Sequence, residues 1–212
     1  NTNNDNEGIT DLESLSNKEK IPSGSPIKYK NINWLYIPIN CPTAEETIIE
    51  FKELLDDNGL TIESLKNSKK GIASKFKKCY EKVFKYVNTC SLVLYSGPYD
   101  INQYRRLSSC LYTGDVNLNK RNILNELNII PPKHINNIGL IQVPHHGSLE
   151  SYNPDILYKI NNDCRRFFLS YGIYNTYGHP SSLIIEDMIL NHKLIICVDE
   201  CIPFILSYTN IY

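Results

Sequence analysis

Three short polar segments of this sequence contain the residues best suited to bind a metal ion or to take part in catalysis. They are Thr113-Gly-Asp115, His145-His-Gly147 and Gly178-His-Pro180, and they contain three of the five histidines. Each follows a run of apolar residues that is typical of a buried strand. Carboxylate and imidazole groups are the ligands that proteins offer to Zn²⁺, Mn²⁺ or Fe, and an Asp whose two oxygens face two cations bridges them. The pattern therefore indicates a metal site.

Each of these segments alone is a weak indication of a metal site. Their shared position at the ends of strands makes the indication stronger. A Thr-Gly-Asp sequence is usually a turn, a His-His pair more often lies on the surface or beside a site, and Gly-His-Pro more often leads into a helix. Strand ends in a layered sheet lie along one rim, so we expect the three segments to meet there. The remaining histidines, His134 and His192, have polar neighbours and are expected at the surface.

The bulk composition is that of a globular protein without a broad nucleic-acid-binding face. The chain has 212 residues, 42% of them hydrophobic, and a formal net charge of −1. It contains no apolar run of the roughly 20 residues that span a bilayer and no signal-peptide pattern. Its seven cysteines are odd in number and irregularly spaced. This favours reduced thiols and predicts a cytoplasmic location.

The elements that must position these residues come mainly from the second half of the chain. We expect residues 1–26 to be a polar linker or a disordered segment, because they are too polar to order themselves. A strand is predicted over 32–37 and a helix over 43–57, ended by Asn58-Gly59. A short helix follows near 62–65. The basic stretch 69–85 is interpreted as either helix or long loop.

Strands and helices alternate after residue 90, which indicates an α/β or layered α+β fold, of which we take α+β. The predicted strands cover residues 91–95, 106–112, 138–143, 166–171, 194–198 and 204–208. The predicted helices cover residues 120–127, 155–160 and 182–191. No internal repeat is found.

Four segments resemble, in the same order, a known family. They are Asn88-Thr-Cys-Ser91-Leu-Val-Leu, Leu111-Tyr-Thr-Gly-Asp115, Gln142-Val-Pro-His-His-Gly-Ser148 and Asn175-Thr-Tyr-Gly-His-Pro180. The run is similar to the C-terminal metallo-β-lactamase-like domain of ComEC-type DNA-uptake proteins and their soluble relatives. The resemblance covers residues 86–199, and 34–38 look like an earlier strand of the same fold.

The resemblance implies a four-layer αββα sandwich with a dinuclear metal centre at one rim. It makes Asp115 the metal-bridging carboxylate. It aligns His146 with the ligand histidine of a Pro-Gly-His-Gly turn that is common in the superfamily, and His145 then stands at the glycine position before that histidine. In another alignment the His145-His146 turn binds phosphate and His179 is the ligand. We therefore take Asp115, His145 and His179 as catalytic candidates and Asp115, His146 and His179 as metal ligands. The resemblance implies a divalent metal, Zn²⁺ first and Mn²⁺ second.

One departure from the family is large. The His-x-His-x-Asp-His motif that supplies most metal ligands is missing, since no histidine precedes His134. Either an upstream segment or a partner chain supplies the first half of the fold, or the chain is a degenerate member that has lost its metals. On the first hypothesis, residues 27–212 are the C-terminal half of the domain. A half sandwich leaves one sheet face exposed, so it needs a partner there.

Two functions from different classes follow. The first is a metal-dependent hydrolase, a phosphodiesterase or nuclease, whose substrate is a phosphodiester such as nucleic acid and which is inactive as this chain alone. The alternative is a non-catalytic scaffold of the same fold that acts as a binding or regulatory module.

Overall fold

The protein is described by a computed structural model, which covers residues 10–11, 21–28, 32–40, 43–61, 63–64, 70–84, 91–104, 106–120, 123–205 and 207. Its contacts group the chain into two compact units. The first unit is Asn1–Cys41 together with Ser91–Tyr212, and the second is Pro42–Cys90. The three polar segments singled out in the sequence all belong to the first unit.

The described residues form one mixed sheet and five α-helices, consistent with the predicted α+β class. The strands are β1 (Thr10–Asp11), β2 (Ile27–Lys28), β3 (Leu35–Asn40), β4 (Leu92–Gly97), β5 (Ser109–Tyr112), β6 (Ile138–Gln142), β7 (Arg166–Ser170) and β8 (Leu194–Val198). The helices are α1 (Glu45–Asp57), α2 (Lys70–Val83), α3 (Ile123–Glu126), α4 (Pro132–Ile135) and α5 (Ser182–Leu190). Within the described residues, no helix is long and apolar enough to cross a membrane.

The strands stand in the sheet in the same order as in the sequence. Strands β2 to β5 form an antiparallel meander, and β5 to β8 are parallel. Parallel neighbours require crossovers, and right-handed crossovers that all step in one direction lie on the same face of the sheet. The helices after β5 are therefore expected on one face, which we call the first face.

The main core lies on this first face. Strand side chains such as Ile37, Tyr95 and Phe167 are fully buried there. They share one apolar cluster with Leu127 after α3 and with Met188 of α5. The alternation of strand side chains explains the arrangement, since every second residue of β3, β4 and β7 points into this cluster.

The second face of the sheet is apolar and partly open. Its central residues are buried, but Tyr36 is 39% exposed, Leu92 48%, Tyr112 40% and Leu194 57%. Tyr112 and Phe168 pack edge to face on this side, with ring centroids 6.0 Å apart. A sheet face with this many exposed large apolar side chains is typical of a surface that a partner covers.

The second unit is built on a pair of helices. Leu55 and Leu60 share a small core with Phe76 and Cys79 of α2. The α1 helix ends as predicted at Asn58-Gly59. Gly59 has a φ of +63°, and the Leu60 N–H bonds back to the Leu55 carbonyl. The basic stretch for which helix and loop were both considered is helical over Lys70–Val83.

Several predictions from the sequence differ from the structure or fall partly outside the described residues. Most of the predicted linker, residues 1–9 and 12–20, lies outside the described residues, whereas Thr10–Asp11 pairs with β2. The helix expected over 155–160 is a 3₁₀ turn at Pro154–Leu157. The strand expected over 204–208 is not formed at residues 204, 205 and 207, and its other residues lie outside the described ones.

The prediction that His134 lies at the surface is wrong. It is 2% exposed and sits on α4, a single turn that directs it inward. The Tyr95 hydroxyl lies 3.2 Å from its Nδ1 and 2.8 Å from the Ser109 hydroxyl. Polar neighbours in the sequence suggested exposure, but a one-turn helix places adjacent residues on opposite sides. His192 is exposed, as predicted.

Burial of His134 predicts a loss of stability in mild acid. Desolvation, helped by the charge of Lys133, lowers the pKa of His134 to about 4, against about 6.5 in an unfolded chain. The unfolded state therefore binds the extra proton between these values. The stabilisation is complete above pH 6.5 and is lost as the pH falls toward 4, by about 3 kcal/mol. Urea unfolding from pH 8 to 4 measures it.

The matched comparison uses His134→Gln, which does not titrate, and His192→Ala on the exposed histidine. The first should flatten this part of the pH profile, and the second should leave it unchanged. Equal slopes for wild type and His134→Gln would contradict the assignment.

Candidate metal centre at the sheet edge

The candidate site forms where parallel strands end. The carboxyl ends of β5, β6 and β7 lie at one edge of the sheet, as expected for parallel neighbours. Asp115 follows β5, His145 and His146 follow β6, and His179 lies on the longer segment after β7. The structure therefore brings together all four residues that the sequence singled out.

The closest pair in this group is Asp115 and His146. The His146 Nε2 atom lies 3.6 Å from the Asp115 Oδ1 atom, and both side chains are about half exposed. The His146 Nδ1 atom is 2.6 Å from the Ser170 carbonyl oxygen, which can only accept, so Nδ1 carries a proton. The Nε2 atom that faces the carboxylate therefore either bears a second proton or directs its lone pair at a cation held between the two groups.

The other two histidines extend the site. The His145 ring lies 6.0 Å from the His146 ring and 5.6 Å from the His179 ring, between centroids. The His145 Nδ1 atom is 3.1 Å from the Ser151 hydroxyl. Tyr177 lies nearly parallel to His179, at 6.3 Å between ring centroids. The three imidazoles form one continuous group.

An unusual backbone presents the two adjacent histidines. His145, His146 and Gly147 have φ angles of +48°, +57° and +82°, a left-handed path that costs energy for residues with a side chain. Two hydrogen bonds hold this path. The His145 N–H donates to the Gly114 carbonyl, and the Ser181 N–H donates to the Gly147 carbonyl. These bonds join the three site segments to one another.

Two amide side chains, not identified from the sequence, fix the segments that carry Asp115 and His179. The Gln142 side-chain oxygen accepts from the N–H groups of Thr113 and Gly114. Asn175 donates to the His179 carbonyl and accepts from the His179 N–H. Both amides lie in the motifs quoted from the sequence, but only the fold reveals their partners.

A shallow cleft of about 320 Å³ opens beside His146. Ser170 and Gly172 line it on the β7 side, and Asp199 and Glu200, which follow β8, line it on the other. Asp199 and Glu200 are not among the candidate residues predicted from the sequence. The signal was the same as for Asp115, a carboxylate placed directly after a strand of the parallel half.

The electrostatics of the site favour a neutral His179. Partial burial lowers its pKa first, and the neighbouring His145 and His146 lower it further. The neighbouring imidazoles disfavour the charged form of His179 because a second positive charge nearby would repel it. A neutral imidazole is the form that binds metal or accepts a proton.

The described residues fit a metal ion only in part. Two ligands about 2.0 Å from a tetrahedral ion lie about 3.3 Å apart, close to the 3.6 Å between Asp115 and His146. However, no three His, Cys, Asp or Glu side chains of the described residues lie so that they could hold one ion together. Asp115 and His146 thus have a spacing that two ligands of one ion can have, without a third such group beside them among the described residues.

Comparison of the chain with protein-family models, with curated proteins and with solved structures finds no match in any of the three.

Proposed function

We propose that this chain carries part of the metal site of a phosphodiester hydrolase with a metallo-β-lactamase-like fold. The observation that carries the proposal is the Asp115–His146 pair, whose atoms lie 3.6 Å apart at the end of parallel strands. The Ser170 carbonyl fixes the His146 tautomer so that Nε2 is the coordinating atom. Metal-binding histidines in proteins are commonly oriented by such a hydrogen bond from the ring nitrogen that does not face the ion.

Each residue of the site has a distinct role in this proposal. Asp115 and His146 would hold a divalent ion, Zn²⁺ or Mn²⁺, and Asp115 is the carboxylate suited to serve two such ions. The ion would lower the pKa of a bound water, so that hydroxide is available at neutral pH to attack phosphorus. His145 and His179 contact the phosphate oxygens. His179 is suited to accept or share a proton there because its lowered pKa keeps it neutral.

The second face of the sheet supports the hypothesis of an incomplete site. Tyr36, Leu92, Tyr112 and Leu194 are each at least 39% exposed there. We propose that a segment or partner chain outside these residues packs on this face, completes an αββα sandwich and adds the remaining ligands. The substrate class is a phosphodiester, with nucleic acid as one member.

The alternative is a scaffold of the same fold without catalysis. It is favoured by the incomplete ligand set of the described residues. In that case the Asp115–His146 contact is an ion pair of an exposed imidazolium, worth less than about 1 kcal/mol.

The two functions differ in how Zn²⁺ acts on the chain. We expect weak binding of one Zn²⁺ by the 212-residue chain, with little or no hydrolysis of bis(p-nitrophenyl) phosphate, because two protein ligands do not make a stable site. Imidazole ¹⁵N NMR during a Zn²⁺ titration should shift Nε2 of His146 while Nδ1 keeps its proton.

His146→Ala should abolish this Zn²⁺ response, and the exposed His192→Ala should not change it. A response centred on His192, or none at His146 up to millimolar Zn²⁺, would support the scaffold instead. Tight binding of two ions with turnover by this chain alone would show that other residues build the site.

A further inference from the structure

Tyr177 places an exposed aromatic ring directly beside the candidate site. Its ring lies within 20° of parallel to the His179 ring, with 6.3 Å between the centroids, and the residue is 82% exposed. Single exposed apolar residues are common on protein surfaces and need no explanation. Tyr177 differs from them because it stacks on a histidine that the proposed function assigns to the phosphate, while most of its ring stays open to a further planar group.

Hydrogen bonds hold the segment that carries Tyr177. The Asn175 side chain donates to the His179 carbonyl and accepts from the His179 N–H. On the other side of Tyr177, the Ile173 N–H donates to the Glu200 carboxylate. Because the backbone is anchored on both sides, a ligand has to order only the side-chain torsions of Tyr177. A tyrosine presented in this way offers a large contact area at a low cost in conformational entropy.

The cleft beside His146 carries negative charge. Asp199 and Glu200 line it, and the described residues that line it include no Lys or Arg. The Asp199 carboxylate accepts hydrogen bonds from the N–H groups of Cys201 and Ile202, which keep its charge at the cleft. Like charges repel one another more strongly the closer they lie, so the cleft disfavours a ligand group that adds further phosphates there.

The ring and the cleft favour different properties of a phosphodiester. Stacking on Tyr177 favours a nucleoside, because every nucleobase has a planar face. Nucleic-acid polymers are held largely by Lys and Arg side chains at many phosphates. Here the cleft offers carboxylates instead, and the whole chain has a formal net charge of −1. The combination suits a ligand with a nucleobase and a single phosphate.

We propose that the site takes a small nucleoside phosphodiester with one negative charge, a dinucleoside monophosphate, and that one of its bases stacks on Tyr177. One sugar joins the base to the phosphate, so the base can lie on Tyr177 while the phosphate contacts His179 and His145. Asp199 and Glu200 act against longer, more highly charged substrates. The inference rests on the proposed function, because it uses the same histidines, and it narrows the substrate from phosphodiesters in general.

Binding of the dinucleoside monophosphate of adenosine to the 212-residue chain, with Zn²⁺ present, tests the stacking without requiring turnover. We expect the ligand to shift the ring signals of Tyr177 in NMR spectra. It should bind at least about 5-fold more tightly than dimethyl phosphate, which has the same charge and no ring. Tyr177→Ala should weaken binding of the dinucleoside monophosphate by about 5- to 100-fold, and Tyr177→Phe should retain it.

Tyr174 provides a matched control. It is 88% exposed on the same segment, but within the described part of the chain its ring is not among those that contact a site histidine. Tyr174→Ala should bind the dinucleoside monophosphate as tightly as the wild type. Equal losses in Tyr174→Ala and Tyr177→Ala, or no loss in Tyr177→Ala, would overturn the stacking.

Two tetradeoxyadenylates of equal length test the preference for one charge. One has three phosphodiester linkages, and the other keeps only the central one between two uncharged methylphosphonates. The singly charged form should bind about 3-fold or more tightly at low salt, and Asp199→Asn combined with Glu200→Gln should reduce this difference. Tighter binding of the fully charged form would overturn the preference for a single phosphate.

The Zn²⁺ response of His146 separates this inference from the proposed function. Tyr177→Ala should leave the response unchanged, because it removes no metal ligand. A normal Zn²⁺ response without any dependence of binding on the base would overturn the inference alone. Stacking on Tyr177 without a Zn²⁺ response at His146 would instead contradict the metal site of the proposed function.

Discussion

On the proposed function, replacement of Asp115 by alanine should abolish metal-dependent hydrolysis once the site is completed, while leaving the fold intact. One oxygen of this carboxylate lies 3.6 Å from His146 Nε2. Loss of a bridging ligand removes one ion or both, so we expect kcat/KM for a phosphodiester to fall by at least about 10²-fold. Because the Asp115 side chain is about half exposed, the midpoint of thermal unfolding should change by only about 1–2 °C.

The measurement is hydrolysis of bis(p-nitrophenyl) phosphate with added Zn²⁺ or Mn²⁺, together with circular dichroism melting. Asp155→Ala is the matched control, because it removes another half-exposed carboxylate that pairs with a cation, Lys159. It should retain full activity. His192→Ala should also behave as wild type. Unchanged hydrolysis in Asp115→Ala would refute the bridging role.

Substitution of Gly147 by alanine should be the most damaging single-methyl change near the site. A Cβ at this position would lie 2.7 Å from Pro180 Cβ and 2.8 Å from Leu169 Cδ2. Leu169 is in the core and Pro180 is held next to Ser181, whose N–H bonds to Gly147, so neither can withdraw easily. With the positive φ added, we expect a loss of about 2–4 kcal/mol in the free energy of unfolding.

Gly178→Ala separates backbone strain from crowding. Gly178 has a similar φ of +73°, but a Cβ added there would meet no heavy atom within 4 Å. Its substitution should cost only about 1 kcal/mol. Urea unfolding of both variants measures the difference, and equal losses would mean that the contact with Pro180 does not constrain the loop. Gly147→Ala should also move the His146 imidazole signals, because it displaces the turn that carries them.

That the candidate residues meet at one sheet edge was predictable, because their types and positions are local properties of the sequence. Asp115, His146 and His179 each stand in a polar segment after an apolar strand, and parallel strands bring such segments to one edge. The bounds of β8 were predicted to the residue. Its apolar run lies between Lys193 and Asp199, which mark both ends.

Long-range partners were not predictable, because no local pattern encodes them. The prediction for His134 was wrong since its sequence neighbours are polar, while its contacts come from Tyr95 on a strand far along the chain. Asp199 and Glu200 were overlooked because their relevance depends on β8 standing beside β7. The predicted 155–160 helix is a 3₁₀ turn at Pro154–Leu157.

The sequence by itself determined most of the element types, the strand-end positions of the candidate ligands and the apolar character of the central strands. These follow from periodicity, turn chemistry and residue type, which act over a few residues. Only the tertiary structure decided that the strands follow one another in order, and that His146 faces Asp115 with its tautomer set by Ser170. Only it decided that β8 is the last strand of the sheet among the described residues. Those features depend on pairing between distant segments. Burial of the shared core offsets the conformational entropy that is lost when the long loops between them close.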